Sequence, residues 1–266
     1  MLNFRQIIYF LLTKLIKTLY YFIIETSKVL SARIFNQPYS DIVYTVLPSK
    51  KTIYIRNSKV ACSSIIFHLI KHGDLKTNLS NTMNYHDIHD LGWKLGMKKH
   101  KLSKNQTKEF FKFTLVRNPF ERVVSLYRNK IEKKDDKFFQ FKWYLLGFIG
   151  AEISFSKFVS KIAQIDDKYA EDHIVSQYRI IDRCSGGIDF IGKLENIDED
   201  LSEVFDRQDI PKMKTQVNTT GKYDYRSYYD KETADLIFER YKEDIVRYGY
   251  EKEHKQLLSY FEQRNK

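Results

Sequence analysis

The stretch IYIRNSKVACSSIIFHLI, Ile53–Ile70, opens as a strand and closes as a helix. Ile53 and Ile55 fall on one side of an extended chain and Tyr54 on the other, so a strand is expected over Thr52–Asn57. Ser63 to His72 reads as an apolar helix that stops at Gly73. Between the two lie Asn57, Ser58, Lys59, Ala61, Cys62, Ser63 and Ser64, a polar turn leading into a helix start. Helix starts offer unpaired N–H groups and a positive dipole end, which is the layout of an anion cradle. The glycines and the Gly-Lys-Ser/Thr run of a nucleotide triphosphatase are missing. At this point the anion is open.

A second unit of the same kind follows. Phe111–Val116 reads as a strand and runs into RNPFERVVSLYRNK, Arg117–Lys130, where Pro119 suits a first helical turn. Phe120, Val123, Val124, Tyr127 and Ile131 recur at helical spacing. A third strand, loop and helix is read in GIDFIGKLENIDEDLSEVF, Gly187–Phe205, with a cap near Asp198. Helices are expected over Ser154–Gln164 and from an Asp230 cap to Gly249. Asp74–Gln106 reads as irregular, and Glu132–Gly150 as a lysine-rich aromatic insertion. Strands alternating with helices predict an α/β fold, with a P-loop-type central parallel sheet flanked by helices and ligands at the carboxyl ends of its strands.

The chain has 266 residues, 42% hydrophobic and 15% aromatic, with only 4 Pro and 10 Gly, which excludes disorder. Its formal charge of +11 suits nucleic acid, membrane lipid, a nucleotide or an acidic glycan, or only a solvated surface. No nucleic-acid-binding motif is present, so no nucleic acid partner is expected. Cys62 and Cys184 cannot make a disulfide framework, and a reduced compartment is expected. No zinc spacing occurs, and no metal is expected. At the N-terminus, IIYFLLTKLIKTLYYFII (Ile7–Ile24) is long enough to span a bilayer but carries Lys14 and Lys17 on one face. That pattern favours a helix lying on a membrane, through residues 1–30, over one crossing it. An arm over 1–36 and a folded domain over 37–266 are expected, joined at NQPYSD, Asn36–Asp41.

Two basic strand-to-helix corners in one sheet could grip a ligand with two separated phosphates. NSKVACSSI resembles the 5′-phosphosulfate loop of the carbohydrate sulfotransferases, often Pro-Lys-Val-Ala-Cys-Thr. FTLVRNPFERVVSLYRNK resembles their 3′-phosphate loop. DFIGKLENIDED and YYDKETADLIFERYKEDIVRYGY resemble two later segments in the same order. The likeness runs from Thr52 to Tyr250 and is nearest to the branch containing the chondroitin and HNK-1 sulfotransferases. It implies 3′-phosphoadenosine 5′-phosphosulfate (PAPS) as donor and a hydroxyl of a glycan or polysaccharide as acceptor. By position, Lys59, Ala61, Cys62, Ser63 and Ser64 would hold the 5′-phosphosulfate, and Arg117 and Ser125 the 3′-phosphate. Asn57-Ser58 and Asn118 depart from the family pattern, which usually has residue-proline before the lysine and an acid before Pro119.

Lys59 is the expected stabiliser of charge on the leaving group, and a histidine the expected general base. NYHDIHDLGW, Asn84–Trp93, supplies His86 and His89, between the two loops as the resemblance implies; His89 is preferred for the apolar residues that follow it. His68 reads as a core residue and His173 as structural or acceptor-facing. Arg117 could instead simply pair with Glu121, and Ser63 could simply cap a helix. Two other readings stand beside this one: a P-loop-like kinase of small molecules or sugars using ATP, and a charge-driven binding protein. The charged arm and scarce cysteines favour a cytoplasmic, membrane-associated enzyme, of bacterial source by composition; a Golgi membrane is the alternative implied by animal relatives.

Overall fold

The computed structural model of the chain describes residues 4–73, 85–132, 148–150, 153–213 and 223–264. Most of the predicted insertion over Glu132–Gly150 lies outside them. Five strands form one sheet: β1 (Tyr44–Leu47), β2 (Thr52–Ile55), β3 (Lys98–Lys99), β4 (Phe111–Val116) and β5 (Phe190–Lys193), in the order β3–β1–β2–β4–β5. β2, β4 and β5 are parallel neighbours, as the sequence predicts. The sheet is nevertheless mixed, not parallel throughout, because β1 pairs antiparallel with both β2 and β3. A tight turn over Pro48–Lys51 joins β1 to β2, and a connection that short can only return the chain antiparallel. All four residues of β1 are buried, as are all four of β2.

Helices α1 (Phe4–Ile34), α2 (Cys62–Lys71), α3 (Tyr85–Lys94), α4 (Lys104–Glu109), α5 (Pro119–Tyr127), α6 (Phe155–Ala163), α7 (Gln177–Asp182), α8 (Ile197–Arg207), α9 (Lys231–Arg240), α10 (Lys242–Arg247) and α11 (Glu251–Arg264) surround the sheet. α3 and α4 occupy the stretch read as irregular. α3 is largely polar, with Ile88 buried in the core and Leu91 packed against it, and α4 is fixed by a Ser103–Gln106 capping box rather than by an apolar face. α8 starts at Ile197 with Asn196 at the cap, so Asp198 sits in the first turn instead of capping it. Asp230 does cap α9, accepting from the Thr233 N–H at 2.8 Å. The chain then breaks at Tyr241 and again at Gly249, whose φ of +67° suits glycine.

Two apolar layers cover the two faces of the sheet. Ile53, Ile55, Val116 and Phe120 point into one, with α5, α6 and α9. Tyr54, Phe113 and Leu115 point into the other, with α2 and α8. His68 lies in this second layer, stacked on Phe205 at 4.9 Å, and burial pushes its imidazole down to about 4, so it is a neutral core residue. α1 is the expected N-terminal helix, yet no helix among the described residues is long and apolar enough to cross a membrane.

Candidate active site

The first corner follows β2. Lys59 has φ +69° and Ala61 φ +50°, so the chain makes its turn in the left-handed region without glycine. Each such residue costs about 1–2 kcal/mol, and neighbouring side chains hold the loop there. Arg122 is 2% exposed and its Nε and Nη1 donate to the carbonyls of Ser58 (3.1 Å) and Val175 (2.9 Å). Arg56 Nη2 donates to Ser58 Oγ at 3.1 Å and to Asp172 Oδ2 at 2.7 Å. Asn57 Nδ2 donates to the Leu115 carbonyl and to Gln177 Oε1, both at 3.0 Å. The two departures at Asn57 and Ser58 thus have defined partners. Ala61 is the N-cap of α2 and offers no side-chain acceptor, so Ser63 is not the cap. The first-turn N–H groups of α2, from Cys62, Ser63 and Ser64, open toward this corner by helix geometry.

The second corner follows β4. Gln177, fully buried, accepts from the Arg117 N–H at 2.9 Å and donates to the Arg117 carbonyl at 2.8 Å. Asn118 Oδ1 accepts from the Phe120 N–H at 3.0 Å and caps α5, so this departure keeps the cap that an acid would supply. Glu195, just past β5, accepts from the Asn118 N–H at 2.7 Å and from the Tyr250 hydroxyl at 2.9 Å. Arg117 Nη1 donates to the Lys59 carbonyl at 3.2 Å and ties the corners together. Its Nε and Nη2 also reach Glu121 at 3.3 and 3.2 Å, so the plain ion pair and the inter-corner tie coexist. Ser125 is buried farther along α5.

Beyond the predicted set, Arg128 stacks 4.0 Å over Tyr223, whose hydroxyl lies 3.4 Å from Arg117. Apart from its ion pair with Glu132, Arg128 keeps Nε and Nη1 buried without a hydrogen-bond partner among the described residues. Alongside, an open surface cavity of about 620 Å³ is lined by Tyr223, Asp224, Tyr225, Arg226 and Gln256.

Of the two candidate bases, the structure joins His89 to the first corner: its Nε2 is 3.2 Å from Ser63 Oγ. Its Nδ1 is 3.1 Å from Lys98 Nζ. The side chain of His86 lies outside the described residues. Lys98 is 4% exposed, with burial first and Arg56 second pushing its ammonium down to about 8. His173 pairs with Glu171 at 2.8 Å; burial first, then Lys130 and Arg56, hold its imidazole well below the usual range, and Lys59 adds to this. Burial likewise pushes Lys130 down to about 8. Cys62 and Cys184 are both free thiols. No group of three or more His, Cys, Asp or Glu side chains that could hold a metal occurs among the described residues.

Sequence reasoning missed Arg56, Lys98, Arg122, Arg128, Lys130, Glu171 and Gln177 as site components. Three of them, Arg122, Arg128 and Lys130, lie inside the quoted second motif and could have been found there. Arg56 lies inside the first quoted stretch; Lys98, Glu171 and Gln177 come from separate segments, and only the fold unites them.

Comparison with known proteins identifies the family. A profile described as "Sulfotransferase family" matches residues 43–251, which takes in both corners, β5, α9 and α10. Mouse carbohydrate sulfotransferase 12 is 24% identical over 207 residues, covering 66% of this chain and 49% of the mouse protein. Zebrafish (Danio rerio) carbohydrate sulfotransferase 14 is 28% identical over 119 residues, 41% of this chain and 32% of that protein. Mouse carbohydrate sulfotransferase 11 is 26% identical over 171 residues, 55% and 48% respectively. The matched region therefore spans about half, or less, of these relatives. No solved structure gives a significant match.

Proposed function

The chain belongs to the sulfotransferase family, and from that premise we propose that it transfers a sulfuryl group from PAPS to a hydroxyl of a glycan or polysaccharide. The observation that carries this reading is the pair of strand-to-helix corners tied by Arg117 to the Lys59 carbonyl, both inside the family match. A donor with two separated phosphates fits two such corners. Arg128 Nη1, buried without a hydrogen-bond partner among the described residues, fits an anion beside Arg117.

In this reading Lys59, Ala61, Cys62, Ser63 and Ser64 hold the 5′-phosphosulfate, and Arg117 and Ser125 the 3′-phosphate, with Arg128 added. The donor supplies an activated sulfur on a phosphate leaving group. Lys59 sets fixed positive charge where the leaving oxygen gains charge. His89, the candidate in contact with Ser63, takes the acceptor proton at Nε2. Glycan acceptors are supported by the relatives' names and by the +11 charge, which suits an acidic polymer.

Calorimetry with adenosine 3′,5′-bisphosphate tests the donor. Binding in the micromolar range or tighter is expected, weakened at least about 10-fold in Arg117→Ala, for loss of a charge-assisted bidentate contact. ATP with magnesium is the parallel titration. Preference for ATP, or no bisphosphate binding by folded protein, would return the kinase reading to first place.

We also propose that residues 1–36 act as an arm that rests on a membrane surface beside a transferring domain over 37–266. α1 buries Glu25 and Ala32 toward the body while Leu12, Leu15, Ile16, Leu19, Ile23 and Leu30 stay exposed along one stripe. Exposed Lys28 and Arg33 add basic charge near the helix end. A stripe of this kind on a cationic chain suits an anionic lipid interface. The full chain should co-sediment with phosphatidylserine-containing vesicles, and Leu15→Glu/Leu19→Glu should abolish this; equal sedimentation of the double variant would refute it.

A further inference from the structure

We propose that Lys98 is a positioning residue that decides which ring nitrogen of His89 carries the proton, and thereby whether His89 faces the cradle as a donor or as a base. The inference deepens the sulfuryl-transfer reading and rests on it only for the final step. Its foundation is a continuous chain of polar contacts from β3 to α2: Lys98 Nζ to His89 Nδ1 at 3.1 Å, and His89 Nε2 to Ser63 Oγ at 3.2 Å. In a neutral imidazole one nitrogen donates and the other accepts, and the partner of one fixes the role of the other.

Lys98 is built into place. It is 4% exposed and its Nζ lies 4.8 Å over the Trp93 ring. A Cβ at Gly92 would sit 2.7 Å from Lys98 Cδ, so the bare glycine is what lets the lysine stem pass α3. The charged and titratable groups around its amine are Arg56 after β2, Cys62 at the head of α2, His89 and Asp90 on α3, and Asp172 before α7.

Two states follow. As an ammonium, Lys98 can only donate, so Nδ1 must accept and Nε2 carries the hydrogen. His89 then donates toward Ser63, whose own hydroxyl hydrogen is released for an anion in the cradle, and Nε2 has no lone pair to take a proton. As a neutral amine, Lys98 accepts from Nδ1–H, and the Nε2 lone pair faces the cradle. A proton leaving an acceptor hydroxyl then lands on Nε2, and the Nδ1 proton passes to the Lys98 amine. The acceptor oxygen keeps the electron pair that forms its bond to sulfur; the bond from sulfur to the leaving phosphate oxygen breaks with its pair on that oxygen. Loss of the Nε2 proton to water, with return of the Lys98 proton to Nδ1, resets the pair. With burial holding the ammonium near 8, the base form gains population as pH rises through that value.

The tautomer can be read without any turnover. The full chain, labelled with ¹⁵N-histidine, is titrated from pH 6.5 to 9.5 by long-range ¹H–¹⁵N correlation, with His89→Gln assigning the signals. The wild type should show Nε2–H at the acid end and Nδ1–H at the alkaline end, with a midpoint near pH 8. Lys98→Arg should stay Nε2–H throughout, and Lys98→Met should lose the transition. In turnover, the alkaline rise in kcat should vanish in Lys98→Met, and Lys98→Arg should fall below Lys98→Met despite conserving charge. A wild-type tautomer that does not change over the titration overturns the proposal whatever the variants do, as does a Lys98→Met titration that matches wild type. Bisphosphate calorimetry on the wild type, which reads donor binding and no proton transfer, separates such a failure from failure of the sulfotransferase reading.

Discussion

Lys59→Ala is expected to lower kcat by about 10²- to 10³-fold, the cost of removing one preorganised charge from a site of developing negative charge. The loop conformation should survive the change. Lys59 sits at φ +69°, a region that lysine and alanine enter at similar cost, and the loop is held through backbone groups: the Ser58 carbonyl by Arg122 and the Lys59 carbonyl by Arg117. Because both ties end on main-chain oxygens, the alanine variant retains them. The loss should therefore fall mainly on kcat, with donor affinity reduced far less and the melting temperature within about 2 °C of wild type, as for a change that opens no core cavity. Sulfate transfer from PAPS to unsulfated chondroitin, or to whichever glycan the wild type modifies, measures this. A fall of less than about 10-fold in kcat would move the charge-stabilising role to another cation of the site, with Lys98 and Lys130 the nearest in kind.

How far the sequence disclosed this site depends on how each part is built. The corners were legible because β2 and β4 each run straight into an apolar helix, and one chain segment contains strand, turn and helix start. β1 was not legible, since it turns straight back into β2 over Pro48–Lys51 and leads into no helix of its own. α3 was hidden because it is largely polar, with only Ile88 and Leu91 of its described residues at the core. The missing glycines of the first loop looked like a defect in an anion cradle. The structure answers with side chains from elsewhere, as Arg122 and Gln177 hold residues 57–59 and their neighbours in a conformation that glycine would otherwise provide. Such compensation links positions more than 50 residues apart, and periodicity within one segment contains no trace of it.

Arg122 separates structural from ligand-binding cations most sharply. It sits in the same motif as Arg117, and by charge alone either could be assigned to a phosphate. Arg117 is partly exposed at the corner, whereas Arg122 is buried with its fork on the carbonyls of Ser58 and Val175, and near that of Asp172 at 3.5 Å. Arg122→Ala would strand these buried acceptors and leave a cavity the size of a guanidinium and its stem. The two losses together should cost about 3–5 kcal/mol. For a domain of this size that is a fall in melting temperature of roughly 10 °C, and a large share of a typical total stability of about 5–15 kcal/mol. Arg122→Lys should recover only a minor part, because a single ammonium cannot span two carbonyls held by a planar fork. Thermal melts by circular dichroism provide the measure. If Arg122→Ala melts within about 2 °C of wild type yet loses bisphosphate binding, Arg122 is a ligand contact and the loop is held by other means. The expected contrast is the reverse: Arg117→Ala folds and fails to bind, while Arg122→Ala fails to bind only to the extent that it fails to fold.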